Sequence, residues 1–326
     1  MSYTVGCVSY VNAIPLVMRF EDWGDSSPVR VIYDVPSRLP ALLDSGEAQA
    51  ILVSSLDALR IPGRRMAAEV CIGSHGPVKS VRLFSKVPPK EIQSLALDSS
   101  SLTSNRLARV ILSERYDTDP KVVTLAPNLH DMLKEADACV LIGDIGMISD
   151  GTDLHVLDLG EEWRRLTGKP FVWAAWIGNE GLTPELAGWL MAGAETWCVG
   201  RKLEIEAGIS RLMRLVYRRH LLDEGSHEHV ELVRERLVER ALKHAPGWTA
   251  DMILDYYLNV MVYDMNDAMH EGLREFQRRL VSNGFTDSNH FPALVGADFP
   301  QVEAMRAEIA ARGESIPDWL RPSRTD

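Results

Sequence analysis

The chain has 326 residues, of which 46% are hydrophobic and 25% charged, an ordinary composition for a globular protein long enough to form two lobes. Its net charge of −11 and pI of about 5.4 argue against a nucleic acid or an anionic membrane as partner. The four scattered cysteines form no CxxC pair, and neither a signal peptide nor a membrane-spanning run is evident, so we expect a reduced, cytoplasmic protein.

Strand and helix patterns alternate through the first half of the chain. Strands are predicted at residues 3–10, 29–34, 50–53, 67–72 and 78–85. Helices are predicted from Pro15 to Phe20, at residues 38–45 and from near Leu56. Residues 86–90, with two prolines, are predicted to cross to a second lobe.

The second lobe repeats the alternation. Its predicted strands are residues 94–97, 121–125 and 138–142, and its predicted helices are residues 107–115 and 129–135. Residues 171–177 are predicted to return to the first lobe. From Thr183 to Gly284 the pattern is helical almost throughout, and this segment either covers one lobe or forms the surface of a homodimer. The remaining residues are loop-rich, with one helix predicted at 301–312.

This order predicts an α/β protein with two parallel sheets flanked by helices and hinged around a cleft. Residues 1–88 and 172–285 would form the first lobe, residues 89–171 the second, and residues 286–326 a C-terminal extension. Ligands of such sheets bind beyond the carboxyl ends of the strands.

The segment from Asp98 to Asn105 is the most informative stretch for function. Between a predicted strand and a predicted helix it carries five hydroxyl side chains, those of Ser99, Ser100, Ser101, Thr103 and Ser104. The first N–H groups of a helix lack internal partners and carry partial positive charge, and capping uses only one or two hydroxyls. We therefore predict that this segment binds a small anion, most simply a carboxylate.

Three other loops follow strands whose carboxyl ends should face the same cleft. They are Tyr10 to Asn12, Ser54 and Ser55, and Gly143 and Asp144. The absence of GxGxxG and GxxxxGK[ST] motifs argues against a nucleotide cofactor. His227 and His229 are two residues apart and point away from each other on a helix, which favours a solvated face over a metal site.

Seven short motifs, in order, resemble those of the chorismate dehydratase family, which acts in the futalosine route to menaquinone. They are GCVSYVNAIPL (6–16), VPSRL (35–39), GSHGPVKSV (73–81), LFSKVPP (83–89), ALDSSSLTS (96–104), LIGD (141–144) and DLGEEW (158–163). Each motif alone is weak, whereas their order from about residue 5 to about residue 284 is specific. His75 and the long tail after Phe285 depart from the family pattern, and neither is assigned a role.

The resemblance implies a two-lobed, periplasmic-binding-protein-like fold of the second type, with the substrate in the cleft. It also implies a hydro-lyase that converts chorismate to 3-[(1-carboxyvinyl)oxy]benzoate and water, without a metal or organic cofactor. A substrate with two carboxylates agrees with two lobes whose helix starts face the gap.

On this basis Asn12 is expected to hydrogen-bond the C4 hydroxyl of chorismate or the charge that develops there. The C3 proton would be taken by Asp144 or by the substrate's own side-chain carboxylate, because Asn is a poor base. The residues expected to bind the substrate are Ser9, Ser54, Ser55, Ser80, Ser99, Ser100, Ser101, Thr103, Ser104 and Gly143.

Other functions stay open at this point. One is a solute-binding protein of the same fold that holds a small carboxylate without chemistry. A second is the later, dihydroxynaphthoate-forming enzyme of the same pathway. A third, a ligand-sensing regulator, is disfavoured by the acidic charge and the lack of a DNA-binding segment.

Overall fold

The computed structural model describes residues 2–194 and 227–296, together with residues 310, 311 and 313. Its strands are β1 (Tyr3–Cys7), β2 (Val29–Tyr33), β3 (Ala50–Ser54), β4 (Arg65–Ser74), β5 (Arg82–Ser85), β6 (Ser94–Asp98), β7 (Lys121–Leu125), β8 (Ala138–Leu141), β9 (His155–Asp158), β10 (Phe171–Gly178), β11 (Met261–Asp264) and β12 (Ala293–Val295). Its α-helices are α1 (Ile14–Trp23), α2 (Leu39–Asp44), α3 (Ser55–Arg60), α4 (Thr103–Tyr116), α5 (Leu129–Glu135), α6 (Gly143–Ile148), α7 (Leu159–Thr167), α8 (Pro184–Gly193), α9 (His227–His244), α10 (Ala250–Asp255) and α11 (Asp267–Ser282). A 3-10 turn at Val11–Ala13 precedes α1, and a π-helical turn at Tyr256–Val260 follows α10.

The strands form two sheets, as predicted, but the sheets are mixed rather than purely parallel. The first has the order β11-β4-β10-β3-β1-β2, with β12 beside β4, and the second has the order β7-β6-β8-β5-β9. Strands β5 and β10 run antiparallel to both of their neighbours. Each is the first strand after the chain crosses between the sheets. Its first residue therefore lies at the edge of the sheet that faces the cleft, and its last residue lies at the opposite edge.

The chain crosses from the first sheet to the second between Ser74 and Arg82, because β5 already pairs with β8 and β9. This crossing lies earlier than the one predicted at residues 86–90, which instead connect two strands of the second sheet. The return crossing, residues 159–170, ends at β10, where the sequence predicts the returning strand.

Three short strands were not predicted. Strand β9 is a four-residue edge of the second sheet, and β11 interrupts the region from Thr183 to Gly284 that was predicted to be helical. Strand β12, in the tail, pairs with β4. Pairing partners far away in sequence stabilise these segments, which carry little periodic signal of their own. The predicted helix at 301–312 lies largely outside the described residues.

The two crossings are joined by the carboxylate of Asp158, at the end of β9. It accepts hydrogen bonds from the N–H groups of Gly160 and Glu161, at 2.9 and 3.0 Å, and so caps α7. It also accepts from the N–H groups of Val78 and Lys79, at 3.0 and 2.7 Å, in the first crossing. The Asp158 carboxylate therefore fixes the backbone of the first crossing at Val78 and Lys79.

Helices of the C-terminal part pack against the first sheet and the second crossing. Phe276 of α11 lies edge-on to Phe171 and Trp163, with ring centroids 4.9 and 6.0 Å apart. Arg240 of α9 forms ion pairs with Glu21 and Asp22 at the end of α1. Within the described ranges, no helix is both long and apolar enough to cross a membrane.

The link at Asp158 predicts a stability effect larger than that of an ordinary helix cap. Replacing Asp158 by Ala removes the α7 cap and leaves two N–H groups of the first crossing without their charged acceptor. We expect the free energy of unfolding in urea to fall by about 3 kcal/mol or more.

The matched control is Thr249→Ala, because the Thr249 hydroxyl accepts from the Met252 N–H at 3.2 Å and, within the described residues, caps α10 alone. That change should cost about 1 kcal/mol, as a simple cap does. Equal losses in the two variants would contradict the cross-linking role of Asp158.

Candidate functional site

The loop after β1 brings Tyr10 and Asn12 to the cleft. Strand β1 ends at Cys7, and the Ala13 N–H donates to the Tyr10 carbonyl at 3.0 Å, closing a tight turn before α1. Pro15 fits the first turn of α1 because its missing N–H would have no partner there. The turn therefore points the Tyr10–Asn12 segment at the second lobe.

Asn12 lies in a polar cluster with Ser80 and Tyr256. The Ser80 hydroxyl is 2.8 Å from the Tyr256 hydroxyl, and the Asn12 side chain lies beside the same phenol and lowers its pKa, as a donor does. The Asn12 Oδ1 atom is buried and has no hydrogen-bond partner within the described part of the chain. A buried acceptor without a donor costs free energy, so this oxygen is placed to accept from a ligand or a water.

On the second lobe, the segment from Asp98 to Asn105 uses little of its hydroxyl content for capping. Ser100 donates to Asp98 Oδ1 through its N–H at 2.8 Å and its Oγ at 2.6 Å. Helix α4 begins at Thr103, and the residue at its cap position, Leu102, makes no side-chain cap bond. The first turn of α4 therefore has no side-chain cap from Leu102, and anion binding by its N–H groups stays a prediction.

Two further buried acceptor oxygens lie in this segment. Asn105 Oδ1 has no partner among the described residues; Asp98, only 1% exposed, has no close donor at Oδ2, although the Ile142 N–H lies near its carboxylate and lowers its pKa. Burial raises the pKa of Asp98, while the hydrogen bonds from Ser100 lower it in part. These acceptors favour a ligand that presents a donor, such as a hydroxyl, to this wall.

Direct contacts join the predicted residues of the two lobes. The hydroxyls of Ser54 and Thr103 hydrogen-bond each other across the cleft. The Tyr10 hydroxyl lies beside Ser100, and the Val11 N–H lies beside the Asp144 carboxylate, close enough in each case to lower the pKa of the acidic group. The ends of β1, β3, β6 and β8 therefore meet, as expected for the carboxyl edges of α/β sheets.

Gly143 and Asp144 open α6 opposite Tyr10. Gly143 has a φ of +59°, which favours glycine, and a Cβ there would lie 3.6 Å from the Tyr10 ring. Burial raises the pKa of Asp144 to about 6, and the Val11 N–H and the charge of His244 limit that rise. Asp144 is thus a carboxyl that changes protonation close to neutral pH.

The structure places three of the predicted serines differently. The Ser55 Oγ donates to the Val172 carbonyl at 2.7 Å, so this fully buried hydroxyl holds α3 to β10. Ser99 is exposed. Ser9 is also exposed, and it lines a pocket together with Arg240 and His244 of α9. Ser101, Thr103 and Ser104 are buried at the start of α4.

Three residues of the cleft were not predicted from the sequence as site residues: Tyr10, Asp98 and Tyr256. Asp98 is the last residue of a strand, and Tyr10 lies in the loop after one, each next to residues predicted for the site. Their positions in the sequence could therefore have identified both. Tyr256 belongs to an apolar run that indicated core packing, and nothing local points to the cleft. No group of three or more His, Cys, Asp or Glu side chains within residues 2–194 and 227–296 is arranged to hold a metal ion.

Sequence comparison relates most of the described chain to known proteins. Residues 3–192 match a family model described as menaquinone biosynthesis. Over 194 residues the chain is 29% identical to the chorismate dehydratase of Thermus thermophilus, and the alignment covers 53% of this chain and 69% of that protein.

Solved structures share the architecture at low identity. A protein from Archaeoglobus fulgidus has a TM-score of 0.58 at 14% identity and covers 87% of this chain and 98% of its own. The periplasmic aliphatic sulphonate binding protein of Escherichia coli has a TM-score of 0.53 at 11% identity, covering 91% and 94%. A Candida albicans protein with the generic periplasmic binding protein fold has a TM-score of 0.52 at 7% identity, covering 92% and 98%. These matches confirm the predicted two-lobed, periplasmic-binding-protein-like fold.

The raised pKa of Asp144 predicts how stability depends on pH. The folded protein binds a proton at Asp144 up to pH of about 6, whereas the unfolded chain releases it near 3.8. Stability from this group is therefore present at low pH and lost as the pH rises through that window, by roughly 3 kcal/mol.

Urea denaturation of the wild type and of Asp144→Asn at several pH values tests this expectation. The variant should gain stability relative to the wild type as the pH rises from about 4 to about 7. Asp150→Asn is the control, because Thr152 lowers the pKa of the exposed Asp150 and no such gain should occur. Parallel curves for Asp144→Asn and wild type would contradict the assignment.

Proposed function

Because the chain belongs to the menaquinone biosynthesis family, we propose that it is a chorismate dehydratase. The substrate would lie between the lobes, and the product would be 3-[(1-carboxyvinyl)oxy]benzoate, for use in the futalosine route. The observation that carries the proposal is the buried, unpartnered Oδ1 of Asn12, next to Ser80 and Tyr256 where the two lobes meet.

Chorismate supplies groups that complement the cleft. Its C4 hydroxyl is a donor for Asn12 Oδ1 or for the acceptors around Asp98. Its two carboxylates would be bound by the uncapped first-turn N–H groups of α4 and by neutral hydroxyls such as those of Ser54 and Thr103. Hydroxyl and N–H groups are uncharged donors, so binding of the carboxylates by these groups would not depend on a Lys or Arg side chain.

The reaction is an elimination in which the enzyme chiefly orients the substrate. The C3–H bond breaks, its electron pair forms the new ring double bond, and the C4–O bond breaks to release hydroxide. The hydroxide takes up a proton and leaves as water. Since the ring becomes aromatic, the overall change is favourable, and the site needs to position a base and a hydrogen-bond donor.

Two groups are proposed as the base at C3. Asp144 is one, because its pKa of about 6 leaves it ionised but basic near neutral pH. The substrate's own side-chain carboxylate, attached through the ether oxygen on C3, is the other. The Val11 N–H already occupies part of the Asp144 carboxylate, which supports the substrate carboxylate as the acceptor.

The proposed activity is tested by incubating the full chain with chorismate and separating the products by chromatography with mass detection. We expect an aromatic product lighter than chorismate by one water. A solute-binding protein would instead raise its melting temperature with chorismate and leave the compound unchanged. That result would overturn the proposed activity and favour the binding alternative.

Asn12→Ala tests the role of the unpartnered amide. We expect kcat to fall by about 100-fold or more, whereas the affinity for chorismate by calorimetry should change by less than about 10-fold, because one contact to the reacting hydroxyl is lost. Asn266→Ala is the matched control, since Asn266 caps α11 through the Met269 N–H at 3.1 Å, beyond the end of β11. Unchanged turnover in Asn12→Ala would remove Asn12 from the chemistry.

A further inference from the structure

Three buried tyrosines of the C-terminal segment contact the loop that contains Asn12. The Tyr257 hydroxyl donates to the Val11 carbonyl at 2.7 Å, and the Tyr263 hydroxyl donates to the Asn12 carbonyl at 3.0 Å. The Tyr256 hydroxyl contacts the Asn12 and Ser80 side chains. All three tyrosines are at most 4% exposed. The tyrosines therefore hold the loop at the backbone carbonyls of Val11 and Asn12 and contact the Asn12 side chain.

The fold explains why these tyrosines reach the cleft. Met261, the first residue of β11, pairs with Ser74, the last residue of β4, so the residues before Met261 lie at the cleft edge of the first sheet. Residues 256–260 form a π-helical turn, a geometry frequent at functional sites. The Trp248 ring packs edge-on against Tyr256, with centroids 5.1 Å apart, and restricts the phenol.

The donors and acceptors of Asn12, Tyr256 and Ser80 determine which group donates in each contact. A phenol has one proton to donate. The Asn12 amide can only donate to the phenol through Nδ2, because its Oδ1 has no partner among the described residues. The buried phenol proton needs an acceptor, and the Ser80 Oγ, 2.8 Å away, is the one that the described contacts offer, so the phenol donates to Ser80 and its oxygen can accept from Asn12. This arrangement leaves the Ser80 O–H free to donate to a ligand.

We propose that Tyr256 is a positioning residue that assigns opposite hydrogen-bonding roles to Asn12 and Ser80. Asn12 Oδ1 accepts from the C4 hydroxyl of the substrate, and Ser80 donates to the oxygen that departs. Burial raises the pKa of Tyr256, so the phenol keeps the proton that this direction requires. Tyr257 and Tyr263 hold the loop backbone in register. This inference rests on the proposed dehydratase function, and its tyrosines lie beyond the family-matched region, 3–192.

Steady-state kinetics with chorismate test the positioning role. Tyr256→Phe should lower kcat by about 10-fold or more with little change in KM, because the ring stays and only the direction of the hydrogen bonds is lost. Tyr116→Phe, which removes a hydroxyl bonded to Glu162 at 2.8 Å in the second lobe, should leave kcat unchanged.

A double-mutant cycle separates positioning from a general packing effect. If Tyr256 acts through Ser80, then Tyr256→Phe added to Ser80→Ala should lower kcat by little more than Ser80→Ala alone. Losses that multiply in the double variant would overturn the proposal.

A readout that needs no activity keeps the inference separate from the proposed function. In protein labelled with ¹⁵N-asparagine, the Asn12 side-chain amide signals are identified by their loss in Asn12→Ala. They should shift in Tyr256→Phe, and also in Ser80→Ala, which keeps the phenol, but not in Tyr116→Phe. Shifts without chorismate turnover in the wild type would overturn the dehydratase assignment alone. Turnover with unshifted amide signals would overturn the role of Tyr256 alone.

Discussion

The carboxylate of Asp158 is the interaction on which the arrangement of the cleft depends. By capping α7 and binding the N–H groups of Val78 and Lys79, it joins the two segments that connect the lobes. Lys79 has a φ of +62°, a conformation that non-glycine residues rarely adopt, and its ammonium group pairs with Asp255. The next residue is Ser80, so a strained and doubly held backbone sets the position of a site hydroxyl.

Strand direction explains how distant segments share one site. Strands that leave the first sheet toward the cleft end at Cys7, Ser54 and Ser74, whereas β10 and β11 begin at that same edge. The cleft therefore receives residues that follow some strands and residues that precede others. Gly146 of α6 packs directly against the first crossing. Its backbone approaches Ser80 so closely that a Cβ would lie 2.3 Å from the Ser80 carbonyl oxygen.

Burial and charge reconcile the acidic chain with the anionic substrate proposed for it. The pKa values of Asp98 and Asp144 are both raised by burial, so each carboxyl loses its charge more readily than an exposed one. Hydroxyls and backbone N–H groups supply the remaining polarity of the cleft. A buried site of this kind strengthens hydrogen bonds to a ligand, because no water competes for the donors.

The sequence by itself determined the α/β class, the two sheets and most strands, since alternating apolar residues and turn residues are local signals. It also predicted that Asn12, Ser80, Ser100 and Gly143 line one cleft, because they follow strands or lie in motifs of one family. Only the tertiary structure decided that the first crossing lies at residues 75–81, that Ser55 supports β10, and that Tyr256 meets Asn12. Those facts depend on pairing between residues far apart in the chain, such as Ser74 with Met261, and local periodicity carries no information about such partners.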